Sequence, residues 1–218
     1  MQEHGVRDLR PEAELAVLED EIGDLGEPAT DDRIAGGQLD AARAVADAGA
    51  IVAAGGDEVD LVLPWRAILG GQAAAAARVV AEVRRACAGT RLKLIIESGE
   101  LPGPEAIRAA CEIGLDAGVD FLKTSTGKTA HGASPAAARV MLQAIAAHPR
   151  GNAVGFKASG GIRTVADAAT YIALERDILG SAALVPARLR FGASALLGDV
   201  ERLLSGDHDS GRAMPAAY

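Results

Sequence analysis

The chain has 218 residues, 49% of them hydrophobic and 24% charged, which provides enough apolar surface for a sizeable core and excludes wholesale disorder. Aromatics make up only 3%, so the core must be built from aliphatic side chains and closely packed helices. A formal net charge of −8 argues against a general binder of nucleic acid or anionic membrane, because phosphate backbones demand a basic face.

In chain order, residues 11–25 and 38–54 read as helices, joined by a polar connection over 26–37, and no convincing strand precedes Val59. From there, short aliphatic runs alternate with alanine-rich helical stretches. The runs are Val59–Leu63, Leu92–Ile96, Val119–Lys123, Ala153–Lys157 and Arg188–Gly192, whose last residues fall 33, 27, 34 and 35 positions apart. Helices are predicted over 73–88, 104–117, 135–147, 164–179 and 194–204, several with a starting signal: Ser134 before Pro135, Thr164 with Asp167, and Pro104 with Glu105. Strand, loop and helix repeating at about 30 residues indicate βα units on a parallel sheet. Doubly wound sheets and (β/α)8 barrels both meet that description. The charged residues inside the runs favour the barrel, whose lumen accepts them. Lys123 and Lys157 are predicted to stand last on their strands, where barrel enzymes place their chemistry. Five strands are legible where a closed barrel needs eight.

The N-terminal residues MQEHGVRDLRPEAEL contain no apolar core of a signal segment, and no run of 18 apolar residues occurs, so neither secretion nor membrane insertion is expected. Cys87 and Cys111 fall in predicted helices without a CxxC spacing, and the four histidines show no paired spacing. A reduced, cytoplasmic chain without a cysteine- or histidine-built metal site is expected. Of the 22 basic residues only Lys93, Lys123, Lys128 and Lys157 are lysines. A primary amine can lose its proton and attack a carbonyl, whereas guanidinium stays protonated, so each lysine is a candidate for that chemistry.

Three segments carry most of the chemical signal. Asp120–Thr129 (DFLKTSTGKT) ends like a phosphate loop but has Leu122 where GxxxxGK[ST] needs glycine, which argues against a nucleoside-triphosphate site. Val154–Thr164 (VGFKASGGIRT) runs from a strand ending in lysine through paired glycines to a helix start, where exposed N–H groups suit a phosphate dianion. Arg190–Ser194 (RFGAS) repeats the pattern of strand, glycine and small polar residue. Each glycine loop taken alone marks only a turn; consecutive ones match the phosphate site that follows the last strands of a barrel.

The segments DEVDLVLPWRAILGG, LKLIIESGEL, DFLKTSTGK, GFKASGGIRT and RFGAS together resemble the deoxyribose-phosphate aldolases, lysine-dependent class I aldolases, over about residues 57–200. The resemblance implies a TIM barrel, no metal or other cofactor, and reversible cleavage of 2-deoxy-D-ribose 5-phosphate into acetaldehyde and D-glyceraldehyde 3-phosphate. It implies Lys123 as the Schiff-base lysine, Lys157 as the second active-site lysine and Asp60 as the carboxylate of a proton relay. An ammonium on Lys157 disfavours a second charge beside it and so favours a neutral amine on Lys123, and Asp60 is expected to hold Lys157 charged. The comparison further implies that Gly127, Lys128, Gly160, Gly161, Arg163, Gly192 and Ser194 surround the phosphate. Thr124 and Thr126 contact sugar hydroxyls or tie down their loop. Lys93 reads as an inward structural lysine paired with a carboxylate, and Glu97 and Glu100 as loop anchors. Tyr218 matches the family's terminal tyrosine, which implies assistance to enamine protonation from a flexible tail over 206–218.

Departures are Ala195, where the family often has a second serine, Ala158–Ser159, where it often has proline then alanine, and residues 1–56, which lack the first three barrel strands in recognisable form. One domain over 1–205 is expected, its unpaired strand edges covered by the N-terminal helices or by a homodimer or higher homo-oligomer. Low stability and reduced activity follow from an open lumen. Two other readings stay open: a catalytically weak phosphosugar-binding relative, and another Schiff-base TIM-barrel phosphate enzyme.

Overall fold

The computed structural model of the protein describes residues 39–205. The predicted helix over 11–25, the connection over 26–37, the tail over 206–218 and Tyr218 lie outside the described residues. The elements run α1 (Ala41–Ala53), β1 (Glu58–Val62), α2 (Trp65–Leu69), α3 (Ala73–Ala86), β2 (Arg91–Ile95), α4 (Gly103–Ala117), β3 (Phe121–Lys123), α5 (Pro135–Ala147), β4 (Gly155–Ser159), α6 (Val165–Leu179), β5 (Leu189–Gly192) and α7 (Ser194–Leu204). Three single turns of 3-10 helix punctuate the connections at Ser98–Glu100, Gly151–Ala153 and Ser181–Ala183.

All five strands are parallel and lie in sequence order, β1-β2-β3-β4-β5, each followed by helix. This is the expected α/β architecture: five consecutive units of a (β/α)8-type barrel. Alternation along the strands sorts the side chains. One face presents Val59, Leu61, Leu92, Leu94, Leu122, Phe156, Leu189 and Phe191, all buried in one apolar cluster with helix residues such as Val80, Cys111, Met141 and Ile172. The opposite face carries Glu58, Asp60, Lys93, Lys123, Lys157 and Arg190, matched by register across neighbouring strands.

A contact between the two outermost strands shows that this sheet curls. Arg190 Nη1 on β5 reaches Glu58 Oε1 on β1 at 2.8 Å. Four strand spacings in a flat sheet would hold those backbones roughly 19 Å apart, beyond the combined reach of the two side chains. The charged face is therefore the concave one, a lumen. Phe121 floors it, with the Arg190 guanidinium 4.9 Å from the ring centroid. Gly155 makes room for that ring, since a Cβ there would fall 2.3 Å from Phe121 Cε1.

The helix starts follow the sequence signals. Ser134 caps α5 by accepting from Ala137 N, with Pro135 leading the helix, and Thr164 and Asp167 form a reciprocal capping box on α6. Asp40 caps α1 in the same way, which trims the predicted 38–54 to Ala41–Ala53. Helix α2, with Arg66 stacked 4.3 Å over Trp65, is an element the periodicity did not reveal, because five residues are too few to show a period.

β1, β2 and β5 match their predicted runs to within one residue, while β3 and β4 differ by more. β4 starts at Gly155 and not Ala153, because Gly151–Ala153 forms a 3-10 turn. β3 begins at Phe121, not Val119, because the Asp120 carboxylate is occupied by Leu92 N and Arg84 and ends the preceding turn. β4 continues through Ala158 to Ser159, paired with Phe191 and Gly192, so Lys157 sits mid-strand and not at the end. Among the described residues, β1 and β5 each have a single strand partner.

Candidate active site

The register places Lys123 directly beside Lys157 on adjacent strands, with Arg190 next in line on β5. Across the lumen from β1, Asp60 Oδ2 accepts a hydrogen bond from Lys123 Nζ at 2.9 Å. Its other oxygen, Oδ1, lies 3.3 Å from Lys93 Nζ on β2. Asp60 thus contacts Lys123 and Lys93 directly, while Lys157 acts on it as a nearby charge. Lys93 is 4% exposed and also pairs with Glu58, as expected of an inward lysine matched to a carboxylate. Glu58 in turn pairs with Arg91 and Arg190.

Burial alone would push both carboxyls up. For Asp60 the surrounding Lys123, Lys93 and Lys157 side chains outweigh that and hold it below the usual aspartate value. For Glu58, Lys93, Arg91 and Arg190 bring the carboxyl down to about 2. Burial likewise opposes the charge on Lys93, and Asp60 and Glu58 overcome it, raising the ammonium's affinity for its proton. The lumen thus sets two carboxylates, both held below their ordinary values, among the basic side chains of Arg91, Lys93, Lys123, Lys157 and Arg190.

The loops at the C-terminal ends of the strands close over this face. Thr124 is fully buried and bridges β3 to β4: its Oγ1 accepts from Ser159 N at 2.9 Å and donates to Ser159 O at 3.0 Å. Of the two roles left open for it, tying down the loop is the one its contacts serve. Thr126 Oγ1 accepts from Lys128 N at 3.1 Å, and Glu97 accepts from Thr126 N at 3.1 Å and from Thr129 Oγ1 at 3.3 Å. Glu97, 2% exposed and left-handed at φ 53°, is the loop anchor anticipated for it.

The loop holding Gly127 and Lys128 packs against the one holding Gly160 and Gly161. A Cβ on Gly160 would lie 3.0 Å from Gly132 Cα and 3.5 Å from Gly127 Cα, so backbone meets backbone there. Gly192 sits below, where a Cβ would come within 2.5 Å of Ser159 Oγ and 3.2 Å of Lys157 Cε. Ser194 opens α7. The start of α6 differs from expectation. The N–H groups of Arg163 and Thr164 donate to Asp167, and that of Val165 donates to Asp199 at 2.8 Å, so these amides are already engaged by carboxylates.

Sequence reasoning passed over Glu58 and Arg190. Glu58 stands two residues before Asp60 and so shares its face, and Arg190 lies inside β5 in register with Lys157 of β4; the period-two rule pointed to both. Among the described residues no group of three or more histidines, cysteines, aspartates or glutamates is arranged to hold a metal ion, and no helix is long and apolar enough to cross a membrane.

A family model described as DeoC/LacD family aldolase matches residues 20–199. The chain is 46% identical over 171 residues to a deoxyribose-phosphate aldolase of Agrobacterium fabrum, an alignment covering 78% of this chain and 65% of that protein. The chain thus spans about two thirds of that curated relative's length. Solved structures share the fold. A proposed deoxyribose-phosphate aldolase of Toxoplasma gondii ME49 superposes with a TM-score of 0.67 at 24% identity, over 82% of this chain and 70% of the other. A tetrameric deoxyribose-phosphate aldolase of Aeropyrum pernix superposes at 0.56 and 21% identity, over 88% and 74%.

Proposed function

The chain belongs to the DeoC/LacD aldolase family, and from that premise we propose that it cleaves 2-deoxy-D-ribose 5-phosphate reversibly through a Schiff base on Lys123. The observation that carries the reading is the Lys123 amine held 2.9 Å from Asp60 inside the lumen, with Lys157 beside it in register. The 46% identity to the Agrobacterium enzyme supports the choice of substrate.

In this reading the unprotonated Lys123 amine attacks the C1 aldehyde of the open-chain sugar, and loss of water leaves an iminium. Asp60, through water, takes the proton of the C3 hydroxyl, the C2–C3 bond breaks, and its electron pair moves into the iminium to give an enamine. D-Glyceraldehyde 3-phosphate leaves. A proton delivered to C2 from the Asp60–Lys157 side restores an imine, and water releases acetaldehyde and the Lys123 amine. Lys128 and Arg163 supply charge to the phosphate, Gly127, Gly160, Gly161 and Gly192 allow its close approach, and Thr126 and Ser194 offer hydroxyls. No metal or organic cofactor enters these steps. The aldolase-like part that carries them runs from about residue 57 to 205 within a single domain over 1–205, in the cytoplasm, and the tail ending in Tyr218 assists enamine protonation.

A second reading, a weakly active phosphosugar-binding relative, is favoured by the single strand partners of β1 and β5 among the described residues. Borohydride reduction in the presence of acetaldehyde, followed by peptide mapping, separates the two. An adduct on Lys123 with turnover of the sugar phosphate supports the aldolase. Retained phosphosugar binding without an adduct supports the second reading and sinks the first.

A further inference from the structure

The lumen contains more fixed charge than the proposed reaction uses. Glu58, Lys93 and Arg190 have no part in the steps above, yet they form a continuous ladder of alternating sign. Arg190 of β5 binds Glu58 of β1 at 2.8 and 3.1 Å, Glu58 binds Lys93 of β2, Lys93 stands 3.3 Å from Asp60 Oδ1, and Asp60 Oδ2 receives Lys123 at 2.9 Å. Stability alone does not call for such a ladder, since well-packed apolar residues in place of buried ion pairs are commonly neutral or stabilising.

We propose that Lys93 is a positioning residue: clamped by Glu58, it fixes one oxygen of the Asp60 carboxylate so that the other is held on Lys123. This deepens the aldolase reading and rests on Lys123 being the imine-forming lysine. A carboxylate with one partner can swing about its side-chain bonds; one gripped at both oxygens cannot. The grip is itself held, because the Lys93 ammonium is almost fully buried between two carboxylates and Glu58 is anchored from the far edge of the sheet. The groups facing Asp60 are Glu58 on its own strand, Lys93 from β2, Lys123 from β3 and Lys157 from β4, while Arg190 from β5 and Arg91 from β2 act on Glu58. Removing Lys93 takes away one of the basic groups that lower the Asp60 carboxyl and frees Oδ1 to turn away from its present aim.

The test follows two readouts in the full chain. The first is the titration of Asp60, read by carbon NMR of carboxyl-labelled aspartate, with Asp60→Asn assigning the resonance. The second is the rate of borohydride-trapped acetaldehyde adduct on Lys123. Lys93→Met should move the Asp60 midpoint upward by about one pH unit. It should also slow adduct formation by about tenfold or more, the order expected when a reacting pair loses its alignment. Lys93→Arg keeps the charge and should restore both. If Lys93→Met does not fold because Glu58 is left buried without its partner, Lys93→Met/Glu58→Gln removes both charges together and the same upward movement is expected. An unchanged Asp60 midpoint in a folded variant, or an arginine variant no better than methionine, overturns the proposal. No adduct on Lys123 in the unsubstituted protein overturns the aldolase reading instead, and the Asp60 titration then decides the role of Lys93 by itself.

Discussion

Glu175 offers a quantitative test of the packing outside the lumen. It lies on α6, fully buried beside Tyr171, Ile172 and Leu174, and neither carboxyl oxygen has a hydrogen-bond partner among the described residues. Burial pushes its pKa up to about 9, only partly opposed by Arg188. In the unfolded chain the group titrates near the ordinary 4.5. The folded state therefore binds a proton that the unfolded state has released. Its contribution is fully present below about pH 4.5 and is lost progressively as pH rises towards about 9. The slope is about 1.4 kcal/mol per pH unit, so raising the pH from about 5 to about 8 removes on the order of 4 kcal/mol. That is a large share of a domain stability of roughly 5–15 kcal/mol. Glu175→Gln keeps the shape and cannot ionise. Urea unfolding of both proteins, followed by circular dichroism at several pH values in that range, gives the difference directly, with every other titrating group cancelling. The glutamine variant should gain on the parent with each unit of pH. A difference that stays constant from about pH 5 to about pH 8 would refute the reasoning.

Lys123→Arg should abolish turnover and borohydride trapping, since guanidinium forms no imine, while Lys157→Arg should cost about 10²–10⁴-fold in kcat; near-normal turnover in the first variant refutes the Schiff-base step. Gly192→Ala places a methyl within 3.2 Å of Lys157 Cε and 2.5 Å of Ser159 Oγ, so kcat should fall while the melting temperature changes little; equal activity would show that Lys157 has room to spare. Glu58→Gln should flatten the acid side of the stability curve. The Glu58 carboxyl, brought down to about 2, contributes on the order of 3 kcal/mol above pH 4.5 that is lost as pH falls towards 2, and acid titration of the two proteins reads the difference.

The βα repeat and the residues of one face were legible because parallel strands with a charged concave side write a period-two signal that composition cannot hide. Lys93, Lys123 and Asp60 were found that way, and the helix caps at Ser134 and Thr164 stood out by residue type. The direct contacts of Asp60 with Lys123 and Lys93 are not legible locally, because register and curl decide which lysines a carboxylate on β1 meets. The occupied start of α6 was missed for a similar reason: Asp199 comes from the next helix, 34 residues on, and nothing beside Val165 announces it. The last two residues of β4 were hidden by an ordinary Ala-Ser, whose strand character comes from pairing with β5.

The link from Arg190 to Glu58 spans 132 positions of chain, and this sets an order of assembly. Neighbouring strands pair over separations of about one βα unit, but this link requires all five units to be in place. Closing so long a loop is costly in entropy, and contacts of such separation form late. During synthesis Glu58, Arg91 and Lys93 emerge long before Arg190, so the lumen stays wet until the last strand docks. When it does, Arg190 meets Glu58 and covers the Phe121 ring beside Gly155. Opening at the β5 end would then hydrate the whole ladder at once, so hydrogen exchange in β1 and β5 should report a single cooperative event and not two independent frayed edges.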